Sequence, residues 1–88
     1  MPTLSTFLGI IITMYQEVGG RHNIPHIHAR YAEHEAVYDF DGNLIEGALP
    51  RKQHKLVQAW IVLRSDDIKT NWVLIQNGKA HYKIEPLK

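Results

Sequence analysis

The chain predicts an α+β fold: a four-stranded antiparallel meander followed by two helices packed on one face of the sheet. Three observations lead there. The first half alternates in period two and is broken by short Gly, Asn and Pro segments. The second half places apolar residues at i, i+4 and i+7 behind a proline. At 88 residues without a second apolar block, the chain fits one domain, 1–88.

Residues 7–16 (FLGIIITMYQ) are β-branched, aromatic and nearly continuously apolar, which predicts one strand over roughly 6–16, covered on much of both faces. Gly9 is expected where another backbone or ring comes close. The next segment, EVGGRHNIP, is expected to be an exposed loop. Residues 26–31 then put Ile27, Ala29 and Tyr31 on one face and His26, His28 and Arg30 on the other. A tight connection through Ala32 and Glu33 leads to a strand over 35–40. Asp41-Gly42-Asn43 supplies a three-residue hairpin loop into 44–48.

Pro50 is expected as the first residue of a helix near 51–64, where its missing N–H costs nothing. Leu56, Trp60 and Leu63, widened by Val57 and Ile61, form the apolar stripe. Ser65 or Asp66 is placed to cap a second helix near 66–77 built on Ile68, Trp72 and Ile75, with Asn77-Gly78 ending it. Both tryptophans fall at core spacing, which favours burial over a base-stacking platform.

Charge and composition narrow the functional classes. There is no cysteine, which removes disulfides and thiolate metal sites and favours a cytoplasmic protein. The start lacks the basic n-region and small-residue cleavage site of a secretory signal, and the apolar run is too short to cross a membrane as a helix. Residues 1–46 carry two basic against six acidic groups, and residues 47–88 carry eight basic against three acidic. Such a division marks either a binding face or two halves that attract each other. No phosphate loop, nucleophile elbow or serine triad pattern occurs, so no catalytic residue is assigned.

Two clusters carry candidate chemistry. His22, His26 and His28 form the first. Histidines at i and i+2 on a strand have Cβ atoms roughly 6–7 Å apart, so two imidazoles can converge on zinc or another divalent metal, with His22 as a third ligand from the loop. The bland alternative is a partly packed sheet face. The second cluster is Arg51, Lys52 and Lys55, with His54, at the first helix's start. Cations there oppose the helix dipole, and an anion would relieve them; an acidic neighbour such as Glu46 would do so equally. Nucleic acid is only weakly supported as a partner.

The segments MPTLSTFLGIIITMY, HNIPHIHARY, EAVYDFDGNLIEGALP and LVQAWIVLR, then the NW of the second helix and the closing KIEPL, together resemble the bacterial domain-of-unknown-function family 4160. His22, Asn23, Pro25, His26, His28 and Ala29 match its histidine segment; Glu35, Ala36, Gly47, Leu49, Pro50, Trp60, Asn71 and Trp72 match the rest. Ile24, Ile27, the Gly19-Gly20 stretch and the Ala32-Glu33 turn depart from its usual pattern. The resemblance implies a small α+β protein, sometimes described as a toxin–antitoxin component, with no established catalytic residues. Two functions follow as expectations. One is an interaction module, acting as a homodimer or with a small protein partner, since so short a domain with two open sheet edges gains from association. The other is a metal-dependent hydrolase or nuclease with the three histidines as ligands and Glu33 or Glu35 as general base.

Overall fold

A computed structural model describes residues 2–16 and 24–87. The chain runs β1 (Thr3–Phe7), β2 (Ile10–Thr13), β3 (His26–Tyr31), β4 (His34–Asp39), β5 (Leu44–Ala48), α1 (Arg51–Leu63) and α2 (Ser65–Gln76). All neighbouring strands pair antiparallel, in the order β1-β2-β3-β4-β5. The fold is therefore α+β, with five strands rather than the four expected.

The extra strand arises because residues 6–16 fold back on themselves. Leu8 (φ 50°) and Gly9 (φ 81°) both take left-handed backbone, and a two-residue turn of that kind reverses the chain with the twist a hairpin needs. The unbroken apolar run FLGIII hides this turn, because a leucine in the first turn position carries no turn signal. Gly9 does meet a ring: a Cβ there would lie 3.2 Å from Cε1 of Tyr31.

Register explains how the sheet divides its faces. Ile12 opposes Ala29, Ala29 opposes Ala36, and Ile27 opposes Tyr38. These residues share one face and are all essentially buried. Val57, Trp60 and Ile61 of α1 and Ile68 and Ile75 of α2 complete that core, with Phe7 5.8 Å from the Trp60 ring. Both tryptophans join it as expected, Trp72 only partly buried. On the other face the rows are Thr6–Ile11–Arg30–Glu35 and Thr13–His28–Val37–Glu46.

Local chemistry sets the ends. Asp39 accepts the backbone N–H groups of Asp41 and Asn43 and the Asn43 amide, so the β4–β5 loop closes one residue earlier than expected. Burial alone would raise the Asp39 carboxyl; the bonds from Asn43, Asp41 and Gly42 hold it below its usual range. Pro50 is the residue before α1 rather than its first, and its carbonyl accepts from the His54 N–H at 2.9 Å. Neither Ser65 nor Asp66 caps α2: the helix begins directly after Arg64, and Asp66 and Asp67 lie in its first turn, where the dipole favours them. Gly78 (φ 71°) ends α2, with Gly78 N–H to Ile75 and Lys79 N–H to Leu74, the paired bonds of a Schellman motif.

Candidate functional site

β3 brings the candidate histidines to one side, as the alternation predicts, but into different surroundings. His26 is 1% exposed, because Trp72 of α2 reaches it at a ring separation of 5.6 Å. His28, two residues on, is half-buried, and Arg30 beyond it is exposed. The His26 and His28 rings lie 5.3 Å apart, and Tyr15 meets His28 edge-on at 4.7 Å. His26 Nδ1 sits 2.8 Å from the carbonyl oxygen of Ile24. A carbonyl only accepts, so Nδ1 carries a hydrogen and donates it there. His22 lies outside the described residues.

Two imidazoles on one tetrahedral ion, with metal–nitrogen bonds of about 2 Å, have ring centres roughly 5 Å apart, so the His26–His28 spacing fits. A carbonyl holding the remote nitrogen is the usual orienting contact of a metal-binding histidine. Among the described residues, however, no group of three histidine, aspartate or glutamate side chains is placed to hold a metal.

The face around His28 is polar and shallow. Ile11, Thr13, Tyr15, His28, Arg30 and Glu35 line one hollow, and His28, Glu35, Val37 and Glu46 line the next. Glu35 pairs across the ladder with Arg30 and borders the same hollow as His28. Glu33 does not: it lies in the β3–β4 turn, 3.4 Å from His34. Of the two general-base candidates only Glu35 stands beside the histidines.

Arg51, Lys52 and Lys55 are exposed on the first turns of α1, which hold no acidic residue and no side-chain cap. His54 leaves that cluster. Its Nδ1 shares a hydrogen bond with the Tyr38 hydroxyl at 2.8 Å and the rings stack at 5.5 Å. Burial pushes the Tyr38 phenol up to about 12. Gln58, one turn further on, donates to the Gly42 carbonyl at 2.9 Å.

Three features were missed in the sequence: the Tyr38–His54 pair, the fully buried Asn71, and residues 79–87. The last run back past the helices to the outer edge of β1, where Ile84 N–H donates to the Leu4 carbonyl at 2.8 Å. Asn71 stands midway between Ile68 and Ile75, so its core spacing was visible. Trp60 buries an indole N–H that needs an acceptor, and the Glu85 carbonyl supplies it at 2.9 Å.

Fold and site together define a small α+β protein whose meander has helices on one face, a face bearing His28, Arg30 and Glu35 on the other and, among the described residues, one sheet edge left uncovered. The chain belongs to the family described as Domain of unknown function (DUF4160), which matches residues 9–73. That span holds β2 to β5, α1 and most of α2; β1 and residues 79–87 lie outside it. No curated protein and no solved structure matches the chain. Among the described residues no helix is long and apolar enough to cross a membrane.

Proposed function

We propose that this protein is an interaction module that pairs with a second copy of itself through the β5 edge. One observation supports the reading above others: β5 closes the strand order, and Leu44, Glu46, Gly47 and Ala48 are all exposed. An edge strand is a template for a further strand unless charge, proline or a covering segment blocks it. β5 contains no lysine, arginine or proline, and Glu46 is its single charge. Its Ile45 is an extra residue between the Val37–Glu46 and Tyr38–Leu44 pairs, and this bulge bends the strand, which limits any pairing to a short stretch. A role as a toxin–antitoxin component, as the family resemblance suggests, would use such an edge on a different partner. Light scattering over a wide dilution range tests self-pairing. The expected mass is twice 10.2 kDa at high concentration, falling on dilution, with Leu44→Lys/Ala48→Lys monomeric throughout.

A second reading is supported by the 5.3 Å His26–His28 spacing and the held Nδ1 of His26. In it His22, His26 and His28 bind a divalent metal and Glu35 serves as general base of a hydrolase or nuclease. Zinc then raises Tm by mass action, and His28→Ala abolishes that shift. An unchanged melting curve at saturating zinc removes this reading.

A further inference from the structure

The two edges of the sheet differ in how they are finished. β1 is closed by an extended strap, residues 79–87, held at two places. Near its start the Tyr82 N–H donates to Asn71 Oδ1 at 2.9 Å and the Tyr82 hydroxyl to Asp67 at 3.0 Å. Near its end Ile84, 3% exposed, donates its N–H to Leu4, and the Glu85 and Pro86 carbonyls accept from Trp60 at 2.9 Å and Arg64 at 3.4 Å. The strap leaves α2 through Gly78, around which there is open space, and residues 79–83 are exposed. It lies where a sixth strand would lie, yet it gives β1 a single backbone bond among the described residues instead of a ladder.

We propose that this strap is a stop: it closes β1 against the β5 edge of another copy, and lifting it opens a second docking surface whose occupant is that β5 strand. The proposal rests on β5 being a pairing edge. Both strands have five residues. β1 (TLSTF) carries no charge and β5 only Glu46, so no like-charge repulsion opposes their meeting. Symmetry then gives the strap its consequence. A β5–β5 contact uses one patch twice and ends at a dimer, whereas a β1–β5 contact is heterologous and leaves a fresh edge on every copy added. With the strap down, assembly stops at two chains.

The test uses the full chain. Ile84→Asp puts a charge into the buried anchor position, and Trp60→Phe removes the indole N–H that holds Glu85 while keeping an aromatic ring, though a smaller one, in the core; the second carries the test if the first fails to fold. Mass is followed by light scattering, fold by circular dichroism, and strap release by amide exchange at Ile84. The expected result is a several-fold rise in weight-average mass over the parent, with fold retained, and reversal when Leu44→Lys/Ala48→Lys is added. Folded variants in which the Ile84 amide exchanges freely while the mass stays that of the parent overturn the proposal. If the parent is monomeric at every concentration yet the strap variants assemble through β5, the strap stands and the self-pairing reading falls. If parent and variants all stay monomeric, both fall.

Discussion

At the scale of single residues, left-handed backbone decides where this sequence is intolerant and where it is suboptimal. Gly47 has φ 73°, and a Cβ there would stand 2.2 Å from the Glu35 carbonyl oxygen, a backbone atom that cannot swing aside. Gly47→Ala should therefore cost about 3 kcal/mol, combining backbone strain with overpacking between β4 and β5. Ala32 is the converse case. It adopts φ 52° with a side chain present. Ala32→Gly should raise stability by about 1 kcal/mol, because the left-handed penalty exceeds the entropy that glycine adds to the unfolded chain. Urea midpoints for the two variants should move in opposite directions. A shift of both the same way would contradict the backbone account.

At the scale of elements, Tyr38 and His54 latch the start of α1 to the middle of β4, and the latch has a pH signature. The folded phenol titrates near 12 against an ordinary 10, so the folded state holds its proton more tightly than the unfolded chain. Its contribution is complete below pH 10 and is lost as pH rises toward 12. The loss should be on the order of 2–3 kcal/mol for this fully buried side chain. Tyr38→Phe should flatten the decline between those pH values, whereas an equally steep decline in the variant would place its cause elsewhere. The same element scale shows what the sequence could reveal. The 26–31 and 44–48 strands and both helices were legible within about a residue, because period-two and period-3.6 patterns reflect which face is covered. The β1–β2 hairpin was not, since a continuous apolar run conceals a turn made by Leu8. Nor was the strap: IEPL has neither period, and its docking depends on Trp60 and Arg64 more than twenty residues away in sequence.

At the scale of the whole molecule, the acidic half of the chain is the sheet and the basic half is the helices, so the charge division seen in the sequence is a division between layers. Of the candidate site, the sequence located the shared side of His26 and His28 through their i, i+2 spacing. It missed that Trp72 packs on one of them, a contact between residues far apart in the sequence. The edges are likewise a property of the assembled sheet: among the described residues β1 is strapped and β5 is not, and the proposed interaction rests on this. Amide exchange of β5 at low and high protein concentration tests it most directly. Pairing between copies predicts that amides of Leu44–Ala48 gain at least tenfold protection as concentration rises, while those of the exposed turns are unchanged. Identical exchange at both concentrations, with the mass constant at 10.2 kDa, would contradict it.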